Sequence, residues 1–75
     1  MSHTNLEHHH GYTVHGTGEK QDNGKWCGNF HVAQHGVPVI SISLLEKMFD
    51  SSEDAAAYAL RQGRLYIDRT LLDSK

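Results

Sequence analysis

Imidazole and thiol groups able to share a proton or ligate a metal crowd the N-terminal part of this chain, at His3, His8, His9, His10, His15 and Cys27. Neutral imidazole and thiolate are ligands for zinc, copper and nickel, and imidazole is the side chain whose charge changes near neutral pH. Met1-Ser2-His3 has the order of a square-planar copper or nickel chelate, built from the terminal amine, two backbone amides and the His3 ring, provided Met1 is kept. His8-His9-His10 adds three further imidazoles. Leu6-Glu7-His8-His9-His10 resembles the scar of an affinity tag, but it holds three histidines and runs straight into a strand-like segment, so it reads as native. Cys27, His15 and Asn29 have the residue types of a thiol hydrolase's nucleophile, base and orienter. Catalysis also needs oxyanion donors and a cleft for substrate, which a sheet face of serine, threonine and asparagine does not offer. No enzyme activity and no cofactor is expected.

The elements that must position these groups are set by the apolar pattern. Residues 12–17, 25–33 and 39–45 read as strands. With Thr17 opposite Lys25 across the loop 18–24, Val14 faces Gly28, Tyr12 faces Phe30, Gly16 faces Trp26 and His15 faces Cys27. With Ala33 opposite Val39, the pairs are Val32 with Ile40, Phe30 with Ile42 and Gly28 with Leu44. Both registers put the large apolar side chains on one face, and a one-residue slip in either turns them to water. Directly opposed residues have Cβ atoms about 5 Å apart, so His15 and Cys27 make half a metal site. His31, about 13 Å along the strand from Cys27, is too distant to complete it.

Asp50 with Glu53, or Ser51 with Asp54, caps a helix start, and Ala56, Ala59, Leu60, Gly63 and Ile67 recur at helical spacing, which predicts a helix over 51–69. Gly63 leaves a second reading open, in which the helix ends there and 64–69 is another strand. Gly28 on the central strand invites close approach by the helix, so Gly28→Val is expected to harm the fold more than Gly16→Val. The fold class is α+β, a three-stranded antiparallel meander packed on one C-terminal helix (β-β-β-α). Residues 1–10 are expected as a disordered His-rich tail and 11–75 as a single domain.

At 75 residues, with one cysteine and therefore no internal disulfide, the chain has a modest core, and small unstapled scaffolds commonly lean on a metal, a ligand or a partner. The first ten residues lack a signal-peptide core and no later run has the length of a membrane span, so a cytoplasmic protein without a membrane partner is expected. A formal charge of −2 with histidines neutral is not the concentrated basic footprint of a nucleic-acid binder. Such a binder would have to assemble Lys20, Lys25, Lys47, Arg61 and Arg64. Tyr58, Leu65 and Leu72 repeat every seven residues on the helix side away from the sheet, with Arg61 and Asp68 beside them, and read as an interaction surface for a protein partner or for a second copy in a homodimer. The expected role is that of a non-catalytic protein-interaction or regulatory module, with a metal- or redox-responsive protein using histidine and cysteine as the alternative and a weak nucleic-acid binder as a further one.

The order Tyr12-x-Val14, Trp26-x-x-x-Phe30-x-Val32, Phe49-x-Ser51-x-Glu53-x-Ala55 and Gly63-x-x-x-Ile67-Asp68 resembles a loose class of small uncharacterised bacterial proteins, for which the resemblance implies a fold and no activity. The sheet followed by Ala55-Ala56-Ala57-x-Ala59-Leu60 also resembles the C-terminal part of a double-stranded RNA-binding domain. Here that family's first helix has no counterpart, and Glu53 and Asp54 stand at the helix start where the family places lysines.

Overall fold

The structure, a computed structural model, describes residues 4–71. Four antiparallel strands, β1 (Thr4–His9), β2 (Tyr12–Lys20), β3 (Trp26–Gln34) and β4 (Val37–Phe49), form a meander in the order β1-β2-β3-β4. One helix, α1 (Ser52–Tyr66), follows and tightens no further but widens into a π-helical turn, Ile67–Leu71. The class is α+β as expected, with four strands in place of three.

The additional strand is β1, inside the segment expected as a tail. His9 pairs with Tyr12, and the turn His10-Gly11 closes the hairpin with φ of 51° and 83°. His35-Gly36 closes the β3–β4 hairpin in the same way, with φ of 52° and 78°. Two positive-φ residues are what a two-residue primed turn requires, and histidine is among the few non-glycine types enriched there. The apolar pattern could not reveal β1, because the side chains it turns toward α1 include Glu7 and His9. They are met by polar partners. Arg64 Nη1 donates to both Glu7 oxygens at 3.0 and 2.9 Å, and His9 Nε2 lies 2.8 Å from Asp68 Oδ1. Two residues along a strand advance about 6.6 Å and four along a helix about 6 Å, so Glu7 and His9 step in time with Arg64 and Asp68. Pairs this exposed contribute roughly 0–1 kcal/mol each, so the backbone ladder to β2 carries most of β1's stability.

The β3–β4 register is the one the sequence implies where Val32 faces Ile40, Phe30 faces Ile42 and Gly28 faces Leu44. Ala33, however, faces Pro38 and not Val39, because the register shifts between Val32 and Ala33 and the hairpin closes in two residues. The β2–β3 register differs. Val14 faces Val32, Gly16 faces Phe30, Gly18 faces Gly28 and Glu19 faces Cys27. Gly18, Glu19 and Lys20 extend β2 instead of opening the loop, and the partner of Val14 moves four residues along β3. An even shift keeps every side chain on its face, which is why the inward set was right although the pairs were not. The loop that remains is short. Gln21 N–H donates to Lys25 O, Gly24 N–H to Gln21 O and Lys25 N–H to Asn23 Oδ1, with Gly24 at φ 84°.

Val14, Phe30, Val32 and Leu44 meet Ala59 and Ile67 in the core. Ser51 caps α1, its Oγ accepting from Asp54 N–H at 3.1 Å, and Gly63 lies inside the helix with no strand after it among the described residues. The helix rests on glycine. A Cβ at Gly16 would stand 2.5 Å from Ala56 O and 2.7 Å from Leu60 N, and one at Gly28 2.6 Å from Ala55 O. At Gly18 it would overlap the Ser52 carbonyl and stand 2.8 Å from Ser52 Cα. The obstacles are helix backbone on both strands, so the expected primacy of Gly28 over Gly16 gives way to a platform shared by β2 and β3.

Gly16→Val, Gly18→Val and Gly28→Val should therefore each cost at least the 1–3 kcal/mol typical of overpacking, about 4–8 °C in Tm per kcal/mol for a domain of this size. Thermal melts check this, and a Gly16→Val protein melting like wild type would contradict the shared platform.

Candidate functional site

One helix cannot roof four strands, and α1 sits over β2 and β3. The inner face of β4 is consequently only partly covered. Between it and the end of α1 runs a groove of about 250 Å³ lined by Phe30, Ile42, Leu44, Gln62, Leu65, Tyr66, Arg69 and Thr70. β4 is also an edge: among the described residues no strand pairs with its outer side. From Val37 to Leu45 it carries no charged side chain, and Val37, Val39, Leu45 and Met48 are exposed. Natural edge strands usually carry charge, a bulge or a cover against pairing. β4 has Pro38 and a register irregularity between Val32 and Ala33 near its start, and Glu46-Lys47 near its end, with an uncharged stretch between them. The opposite edge, β1, presents Glu7, His8 and His9.

Tyr58, Arg61 and Leu65, expected to form an interaction surface on α1, have different surroundings. Tyr58 is half-buried against the far end of β4, its hydroxyl donating to Glu46 Oε2 at 3.1 Å and its ring 5.2 Å from Phe49. Lys47 Nζ stands 5.3 Å from the Tyr58 ring centre and 5.5 Å from that of Phe49. Burial, then the Glu46 carboxylate, pushes the Tyr58 phenol up from its ordinary value. Leu65 lines the groove, Arg61 is exposed, and Leu72 lies outside the described residues.

The metal-ligand candidates scatter. His3 lies outside the described residues, and His8 is exposed with Nδ1 3.5 Å from Thr13 Oγ1. His15 faces His31, not Cys27, because of the β2–β3 shift, and His31 Nδ1 lies 2.8 Å from Ser41 Oγ. Cys27 is buried opposite Glu19, with Gln21 Nε2 donating to its Sγ at 3.0 Å. The arrangement of thiol and His15 that a half-site or a thiol hydrolase needs is therefore absent from the folded sheet. Among the described residues, only His9 and His10 converge with a third ligand, Asp68. Asp68 was legible as a charged neighbour on the helix. Its meeting with the histidines was not, since that depends on β1.

Three of the five cations that a nucleic-acid surface would need are engaged within the chain. Arg64 holds Glu7, Lys47 lies by the two rings, and Lys25 pairs with Asp50, holding that carboxyl below its ordinary range. No helix among the described residues is long and apolar enough to cross a membrane.

A family model described as a domain of unknown function, DUF6566, matches residues 2–75, a span that takes in β1 and the His8-His9-His10 run. No curated protein and no solved structure matches the chain. The comparisons hold nothing that links it to double-stranded RNA-binding domains.

Burial first, and the Glu19 carboxylate second, raises the Cys27 thiol above its ordinary value. Iodoacetamide at pH 8 should label Cys27 slowly in the native protein and rapidly in urea. The unfolded thiol ionises near pH 8.5, below the folded one, so the contribution to stability is complete under that pH and declines as pH rises beyond it. Equal labelling rates in both states would contradict the buried thiol.

Proposed function

This chain belongs to the DUF6566 family, a domain of unknown function, and we propose that it is a non-catalytic module that works by self-association, pairing β4 with the β4 of a second copy. The observation that carries this reading is the uncharged stretch Val39 to Leu44 on an edge strand beside an apolar groove. A two-fold axis that sets two edge strands side by side and antiparallel must stand perpendicular to the sheet, so both helices fall on the same face. The two grooves then adjoin, and Ile40, Ile42 and Leu44 of each copy line one trough under two helices. A sheet of eight strands results, with the polar β1 edges at its two ends. The chemistry of the two edges favours this choice, since charge on β1 deters pairing and its absence on β4 permits it. Tyr58, engaged by Glu46 and Phe49, leaves the helix a poorer seam than its heptad spacing implied.

Sedimentation at tens of micromolar tests the reading. Wild type should run as a dimer. Ser43→Lys, which sets a charge on the exposed edge, should raise the dimer dissociation constant at least ~10-fold, equivalent to ~1.4 kcal/mol. Arg61→Glu on the exposed helix side should leave it unchanged. A monomeric wild type, or a dimer broken by Arg61→Glu and indifferent to Ser43→Lys, would overturn the β4 interface.

A further inference from the structure

The edge of the sheet away from β4 carries a different chemistry. His9 and His10 are adjacent in sequence, and within a strand their rings would point to opposite faces. His10 instead leaves the strand at φ 51°, the first position of the turn, and its ring meets that of His9 edge-on with centres 4.5 Å apart. From the other side the π-helical turn brings Asp68, and such turns often mark functional positions. His9 Nε2 lies 2.8 Å and His10 Nε2 4.0 Å from Asp68 Oδ1, and the three ligand atoms all fall within 4.8 Å of one another.

We propose that His9, His10 and Asp68 form a binding site for a divalent zinc ion, with water in the fourth position. Zinc bonds to nitrogen and oxygen are about 2.0–2.2 Å long, which places tetrahedral neighbours about 3.4 Å apart, a spacing that the 2.8 and 4.0 Å separations bracket. Two neutral imidazoles and one carboxylate are a donor set zinc accepts, and three protein ligands with an open position is its usual arrangement outside purely structural sites. The ligands come from two elements, the β1–β2 hairpin and the end of α1. The Glu7–Arg64 pair, one step away on both, spans the same gap between them. A bound ion would pin the hairpin to the helix. The site lies within one chain and on the edge opposite β4, so it stands or falls independently of the dimer.

Calorimetric titration with zinc chloride, followed by melts with and without zinc, tests the assignment in the tag-free chain. Wild type should bind zinc one to one and melt higher with it. His10→Asn keeps a residue tolerant of positive φ, and Asp68→Asn keeps a hydrogen-bond acceptor for His9, so both should retain the fold by circular dichroism. Each should weaken zinc binding at least ~10-fold and remove the thermal shift. His8→Ala, outside the cluster, should change affinity less than ~3-fold. Absence of zinc binding by wild type would overturn the site. So would undiminished binding by Asp68→Asn, or a His8→Ala loss equal to that of His10→Asn, either of which would assign zinc to a loose run of histidines.

Discussion

Backbone pressed on backbone is the constraint from which the rest of this structure follows. Gly16, Gly18 and Gly28 put no side chain of their own between the sheet and the backbone of the first half of α1, and Gly63 makes room on the helix for the side chain of Val14, where a Cβ would stand 2.5 Å from Val14 Cγ1. Ala55, Ala56 and Ala59 are fully buried in the gap that remains. Such a contact is tight and short-ranged, since dispersion decays within about an ångström of optimal packing. It draws the helix down over β2 and β3 and fixes its position laterally. A helix held there by small residues cannot also roof the outer strands.

The two outer strands answer that shortfall in opposite ways. β1 turns Glu7 and His9 toward the helix, and these reach Arg64 and Asp68 at its flank, so its inner face is closed by charge. β4 turns Ile40, Ile42 and Leu44 inward and keeps an apolar groove that α1 does not fill. One flank has the chemistry to hold a cation, and the other has the chemistry to hold another strand. Between them the solvent face of the sheet stays small and polar, with Thr13, His15, Asn29, His31 and Ser43 in its rows.

Legibility in the sequence followed apolar content. Most of the β3–β4 pairing could be read because Val32, Phe30, Ile40 and Ile42 alternate on both strands, and the helix start followed from spacing, with the cap left between Asp50 and Ser51 and a strand after Gly63 left open. The inward face of β2 was legible, but its register was not: Gly18, Glu19 and Lys20 look like loop, and only the fit of Ser52 over Gly18 explains why a strand continues there. β1 was hidden for a plainer reason. Its inward residues are polar, its partners Arg64 and Asp68 lie 57 and 59 residues away, and no local pattern announces such a match. The His9, His10 and Asp68 cluster inherited that invisibility. The dipeptide His-Gly closes the first hairpin and the third, at His10-Gly11 and His35-Gly36, but it also stands in mid-strand at His15-Gly16, so it did not mark the turn.

The direct contact of helix and sheet backbones can be read from proton distances in solution. Nuclear Overhauser spectra of the folded protein should show strong cross-peaks from the Gly18 α protons to Ser52 Hα, and from the Gly28 α protons to the Ala59 methyl and Hα, because the space a Cβ would occupy is filled by those groups. Glycine α protons that contact only their neighbours within the sheet would mean that the helix stands off on side chains, and would contradict the account at its root.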